Sequence, residues 1–262
     1  MSAPTFDRPS DLVAWTFDAD LGNDTDNATM AGYYSSFRRS FGPLRRHKYD
    51  LQLDGLTDRV RSGDVKTVLD IGCGCGSVSL WLALQGAEVT GVDIEAPRLS
   101  VAKRRAELLG LHPEFMRANI LDLTGQYDAI WIEQAYHHLE PRAEIQAKVA
   151  SLLKPGGRLI ISETNAWNPL MQGYVITKRG LKTMRTHTDE NGKVSLYADE
   201  RITTPSALSA GFRPHGVVPT GTRYFGVLWN KPWMERFAVV ERMMPPTIAA
   251  AHTHYLWEGR KA

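Results

Sequence analysis

Cysteine is almost missing from this chain. Its 262 residues hold two, Cys73 and Cys75. They lie too close together to form a disulfide framework, so a reducing compartment, the cytoplasm, is expected. Long apolar runs are missing too: no stretch of about 18 apolar residues occurs, which excludes a helical membrane span. The opening Met-Ser-Ala-Pro-Thr-Phe-Asp-Arg has none of the apolar core of a secretory leader. Nor is there an excess of one charge. Lys plus Arg number 31 against 29 for Asp plus Glu, a formal net charge of +2, so nothing in the balance calls for nucleic acid or an anionic membrane. There is no internal repeat and no low-complexity tract. What is left is an ordinary globular composition, 43% hydrophobic and 23% charged. Its length fits one large domain, or one domain with a lid.

Between residues 65 and 163, short strand-like segments alternate with longer helix-like ones. Val65 to Ile71 reads as a buried strand ending in glycines. Ser77 to Gln85 is apolar on nearly every side and stops at Gly86, as a helix wedged between a sheet and other helices would. Glu88 to Asp93 is a second strand. Pro97 opens a helix in which Leu99, Ala102, Ala106 and Leu109 recur until Gly110. Glu114 to Met116 is a third strand and Tyr127 to Ile132 a fourth. Ile145, Val149 and Leu152 mark another helix, closed by Lys154-Pro-Gly-Gly157 before a fifth strand, Arg158 to Ser162. This alternation predicts a parallel sheet covered on both faces, the doubly wound α/β class.

The flanks are less regular. Met30, Tyr33, Tyr34, Phe37 and Phe41 share one face of an amphipathic helix capped by Asn27 or Asp26. Thr204-Pro205 is a cap and helix start, Phe212 to Pro219 a strand, and His254 to Gly259 a last strand. Residues 221–250 are rich in aromatics and methionine, with Trp233, Phe237, Val240 and Met244 on one helical face. The expected organisation is a helical cap over residues 1–60, then a domain over 61–262 with lid insertions at 164–202 and 221–250.

The segment Val68-Leu-Asp-Ile-Gly-Cys-Gly-Cys-Gly-Ser77 sets Gly72, Gly74 and Gly76 between a strand and a helix. There they permit a tight turn and a close approach of ligand to backbone. A dinucleotide-binding Gly-x-Gly-x-x-Gly cradles pyrophosphate, but here the third glycine comes one residue early. Asp70, just upstream, would repel a pyrophosphate. The same carboxylate suits a ligand that also carries an ammonium group, such as the methionyl part of S-adenosylmethionine. Asp93 follows Gly72 by about 20 residues, the place for a carboxylate that accepts from ribose hydroxyls. Ile94 is next and is placed to lie against an adenine face.

Taken in order, the glycine segment, Val-Asp93, Tyr-Asp-Ala-Ile-Trp-Ile-Glu133 and Leu-Leu-Lys-Pro-Gly-Gly157 resemble the class I S-adenosylmethionine-dependent methyltransferases, small-molecule branch, over about residues 65–163. The resemblance implies a Rossmann-like seven-stranded sheet ending in an antiparallel hairpin, which residues 213–219 and 254–259 would supply. It implies cofactor contacts at Asp70, Gly72, Gly74, Gly76, Asp93 and the pair Asn119-Ile120. Many relatives have Asp at position 119; Asn can still meet the adenine amino group through its carbonyl.

A methyltransferase brings a nucleophile in line with the sulfonium methyl group, and positioning and water exclusion supply much of the rate. Substrate groups are expected at the carboxyl ends of the strands. Glu133-Gln-Ala-Tyr-His-His138 leaves the fourth strand there. His137 and His138 are candidate bases, with His137 slightly favoured; packing beside the following helix is the alternative for both. Glu133 can touch the cofactor, orient a histidine or bind a substrate cation. The Asn/Asp-Pro-Pro-aromatic motif that usually accompanies methylation of nucleobase or glutamine nitrogens is absent after the fourth strand. A cysteine nucleophile for cytosine carbon is absent as well, both cysteines being in the glycine loop. Glu133, Glu163 and Asn165 are a set of oxygen ligands for magnesium, but the Asp pair of catechol-methylating relatives is missing. No metal is expected.

Tyr33, Tyr34 and Trp167 are candidate walls of a substrate pocket able to favour a sulfonium by cation–π attraction. Trp229 and Trp233 belong to the same aromatic set, for which gluing the flanks to the sheet is the plainer role. Arg45-Arg-His-Lys48 and Lys178-Arg179 with Lys182 and Arg185 read as solvated basic faces. The function expected is methyl transfer from S-adenosylmethionine to oxygen or nitrogen of a small organic molecule, of the kind found in specialised metabolism. The alternatives are carbon methylation of an isoprenoid or lipid-like acceptor and an inactive cofactor-binding subunit. The expected partner is the small-molecule substrate, without nucleic acid or a membrane span.

Overall fold

The computed structural model describes residues 4–18, 35–180, 184–188, 194–198, 201–228 and 232–262. The chain divides into two compact units, one of Met1–Asn119 with Leu228–Met243, the other of Ile120–Val227 with Met244–Ala262. Seven strands hydrogen-bond in the order β3-β2-β1-β4-β5-β9-β8, and two more form a separate pair. This is the α/β, Rossmann-like class expected from the alternation of strands and helices.

In the first unit, β1 (Thr67–Ile71) lies parallel to β2 (Glu88–Asp93), and β2 parallel to β3 (Glu114–Arg117). Val68 and Leu69 are wholly buried, as the near-continuous apolar run of a strand covered on both faces requires. Helix α1 spans Pro9–Asp18, α2 Pro43–Arg61, α3 Ser77–Leu84 and α4 Ala96–Leu109. Residues 35–40 are also helical. Helix α2 lies in the stretch expected to form a helical cap, but its own apolar period is not evident in the sequence, and its buried face explains why. Lys48, Gln52 and Thr57 are buried there beside Leu44, Leu53, Leu56 and Val60, so polar residues interrupt the apolar period. Two of them have partners inside: Lys48 donates to the Leu228 carbonyl, and Thr57 Oγ1 accepts the indole N–H of Trp81 on α3 at 2.8 Å.

In the second unit, β4 (Tyr127–Glu133) runs parallel to β5 (Leu153–Thr164). Strand β9 (His254–Lys261) is antiparallel both to β5 and to β8 (Val217–Phe225), giving the expected terminal hairpin. Helix α5 is Arg142–Ser151. Lys154-Pro-Gly-Gly157, expected to close that helix as a turn, instead lies inside β5. The ladder with β4 slips at this point, and Gly156 takes φ 76°. The stretch read as weakly periodic holds α6 (Pro169–Arg179) and the hairpin β6 (Met184–Thr188) with β7 (Val194–Ala198). Thr204 caps α7 (Pro205–Phe212) by accepting the Ala207 amide. Phe212, expected to open a strand, ends this helix instead. It is fully buried, its ring stacked on Trp257 at 5.7 Å, and the strand starts only after Gly216 has turned the chain at φ 75°. No helix among the described residues is long and apolar enough to cross a membrane.

Candidate functional site

The glycine loop of the first unit is built from its main chain. Gly72, Gly74 and Gly76 all take positive φ, 73°, 53° and 77°. The amides of Gly72 and Cys73 both donate to the Val92 carbonyl, at 2.8 and 3.1 Å, which ties the loop to the end of β2. Gly76 is the N-cap of α3 without a side-chain cap, so the first amides of that helix have no side-chain acceptor at the cap. Asp70 is buried, and its Oδ2 accepts from Ser79 Oγ at 2.6 Å. Burial, followed by the charge of Asp70, pushes the Cys73 thiol well up.

Asp93 ends β2 and organises two amides. Its Oδ2 accepts from Gly74 N at 2.9 Å and its Oδ1 from Glu95 N at 2.8 Å. Each oxygen keeps a second lone pair, which fits a carboxylate that both shapes the loop and accepts from a ligand diol. Ile94, next to it, is 63% exposed, an unusual placement for a large aliphatic group unless a flat apolar surface is to lie on it. Asn119 is exposed. Ile120, which opens the second unit, is buried and starts a short 3-10 turn. The loop's backbone, the Asp93 lone pairs and the bare Ile94 face together fit the methionyl, ribose and adenine parts of S-adenosylmethionine.

In the second unit the end of β4 carries the chemistry-bearing side chains. Glu133 is half-buried and pairs in register with Ser162. Tyr136, His137 and His138 form a short 3-10 turn just beyond it. His137 is buried, and its Nδ1 lies 2.8 Å from Oε2 of Glu163, a carboxylate with no exposure. The same carboxylate accepts the amides of His137 and Thr164, both at 3.2 Å. A carboxylate only accepts, so the hydrogen of this bond is carried by Nδ1. His138 is held differently, its Nδ1 2.8 Å from the Ala198 carbonyl, with the two rings 4.1 Å apart. Gln134, between Glu133 and this turn, has φ 48°, the one positive φ outside glycine among the described residues. Residues held there cluster at functional sites. Trp167 is 55% exposed, its amide bonded to Asn165 Oδ1 at 3.0 Å. Asn165 is itself tied down, its amide donating to the Ala249 and His252 carbonyls. Tyr33, Tyr34 and Trp229 lie outside the described residues.

Glu163 as the partner of His137 is what the sequence reading missed. Its signal is an acid two residues beyond the apolar run Leu159-Ile-Ile161 of β5, where a buried carboxylate requires a partner. The neighbouring strand end supplies histidines.

The profile of a methyltransferase domain matches residues 68–157. Ubiquinone biosynthesis O-methyltransferase of Marinobacter nauticus is 36% identical over 121 residues, covering 44% of this chain and 50% of that protein. Its namesake in Bordetella bronchiseptica is 29% identical over 179 residues, 66% of this chain and 70% of that one. The chain thus spans about half the length of the first relative. Among solved structures, an S-adenosylmethionine-dependent methyltransferase from Clostridium acetobutylicum superposes with TM-score 0.59 at 14% identity, over 87% of this chain and 99% of that one. The 1,6-didemethyltoxoflavin-N1-methyltransferase of Burkholderia thailandensis gives 0.53 at 18%, over 100% and 93%. Likeness at that level concerns the fold.

Proposed function

We propose, from the premise that residues 68–157 are a methyltransferase domain of the class I S-adenosylmethionine-dependent family, that this chain methylates an oxygen of a small organic molecule in the cytoplasm. S-adenosylmethionine supplies an electrophilic methyl group when bound. Asp93 would accept from the ribose hydroxyls, the loop main chain at Gly72, Gly74 and Gly76 with Asp70 would lie against the amino-acid tail, and Ile94 with Asn119-Ile120 would serve the adenine. Trp167, Tyr33 and Tyr34 are assigned to the acceptor.

The observation that carries the oxygen reading is the His137–Glu163 pair. A neutral amine needs no base before attack, whereas a hydroxyl does. His137 Nε2 would accept the acceptor's O–H proton, leaving the oxygen to take the methyl group whose bond to sulfur breaks, with the cofactor leaving as its neutral thioether. Glu163 holds the ring in one tautomer and stabilises the imidazolium, and the proton leaves to solvent afterwards. Relatives named for O-methylation in ubiquinone biosynthesis favour the same acceptor atom. Glu133 and His138 are left with roles in orientation.

The test is transfer of labelled methyl from S-adenosylmethionine to a panel of phenols, carboxylic acids and amines. Oxygen acceptors are expected to be methylated. His137→Ala should lower kcat by about 10²- to 10⁴-fold with the affinity for S-adenosylhomocysteine unchanged in calorimetry. Full turnover in His137→Ala, or methylation of amines alone, would overturn the oxygen reading.

A further inference from the structure

Residues 232–243 turn their acids inward and their apolar side chains outward. A 3-10 turn over Pro232–Phe237 runs into helix α8 (Ala238–Met243). Glu235 reaches back to accept the Leu44 amide at the start of α2, at 2.9 Å. Glu241 is buried and accepts the Leu228 amide at 2.9 Å. Outside stand Trp233, Phe237, Val239, Val240 and Met243, 41% to 76% exposed. With them stands Arg236, whose guanidinium lies 4.9 Å over the Phe237 ring. At about 120° per residue through the 3-10 turn and 100° through α8, these six fall within one side of the run, and the two acids fall on the other. A helix facing water shows the reverse pattern, and an apolar patch of this kind marks an interaction surface.

Charge decides what covers it. On this exposed side the described residues carry one charged group, a cation, and Lys231 precedes it in the sequence. A second copy docked about a two-fold axis would bring the same patch, which among the described residues carries no acid to pair with Arg236. A bilayer surface with anionic headgroups accepts every component at once. Aliphatic tips enter the acyl boundary, Trp and Phe rings lie at headgroup depth, and the guanidinium meets phosphate. We propose that residues 232–243 dock the protein on an anionic lipid surface, lying in the interface without spanning it. This inference stands apart from methyl transfer, and its test reads no turnover.

The full chain is sedimented with vesicles of phosphatidylcholine alone and of phosphatidylcholine mixed with phosphatidylglycerol. Binding is expected on the mixed vesicles and should weaken as salt is raised. The double substitution Trp233→Glu with Val240→Glu should cut the bound fraction by about tenfold. Val218→Glu, at an exposed position of β8, should leave it unchanged. Because the substituted side chains are exposed, each variant should melt at the wild-type temperature, and this is measured alongside. Three results overturn the proposal: wild type bound to neither vesicle, the double variant bound as wild type, or a dimer in ultracentrifugation that the same substitutions dissociate.

Discussion

Glu163 decides which nitrogen of His137 carries its hydrogen, and that gives a residue-scale prediction. Glu163→Gln preserves the volume but places an amide where the carboxylate accepts three hydrogen bonds. A Gln side chain has one accepting oxygen, so it cannot satisfy all three, and nothing then enforces Nδ1–H. Analogous loss of an orienting carboxylate costs up to about 10⁴-fold in kcat elsewhere. Glu163→Gln is expected to lower kcat by about 10²- to 10⁴-fold, with S-adenosylhomocysteine affinity held. Glu163→Asp should recover part of the rate. A purely structural role for Glu163 predicts instead that affinity, melting temperature and rate fall together. At this scale legibility followed sequence distance. Asp70, the glycines and Asp93 sit in one local motif whose chemistry is self-explanatory. Glu163 is 26 residues from His137, and only the parallel register of β4 and β5 brings the two together.

At the scale of elements, the loop before α3 separates two reasons for glycine. A Cβ on Gly76 would lie 2.8 Å from Phe115 Cζ and 2.9 Å from Ala102 Cβ, and φ there is +77°. A Cβ on Gly74 would meet nothing nearer than Arg98 Cδ at 4.0 Å, with φ +53°. Gly74→Ala therefore meets the left-handed penalty alone, about 1–2 kcal/mol. Gly76→Ala adds overpacking of similar size, so about 2–5 kcal/mol is expected. Urea denaturation of the two variants measures the difference, and equal costs would show that the crowding relaxes. The α/β alternation was legible because apolar runs and glycine stops mark these strands and helices directly. The bounds of helix α2 within the expected helical cap were not, since Lys48, Gln52 and Thr57 occupy its buried face. Phe212 is the first residue of a strand in the sequence expectation. Its burial against Trp257 and Tyr136 keeps it at the end of a helix.

At the scale of the whole molecule, Lys48 links stability to pH. It is a buried cation on α2, its Nζ bonded to the Leu228 carbonyl while Glu241 accepts the Leu228 amide. Both main-chain groups of one residue are thus held by buried side chains. Burial, only partly countered by the charge of Glu241, lowers the Lys48 pKa below its ordinary 10.5. Between that lowered value and 10.5 the unfolded chain binds more protons than the folded one, so this group's contribution to stability rises with pH across the window. Lys48→Met removes the titration and leaves the Leu228 carbonyl unbonded. It should cost about 1–3 kcal/mol near neutrality, and the gap to wild type should widen as pH climbs toward 10.5. Buried Tyr136 and Tyr255, whose pKa values are raised mainly by burial, act in the opposite sense above 10. Both proteins carry them, so they cancel in the difference. Urea midpoints of wild type and Lys48→Met, measured from pH 7 to 10.5, make the comparison. A gap that stays flat or narrows would mean that Lys48 keeps its ordinary pKa in the folded chain.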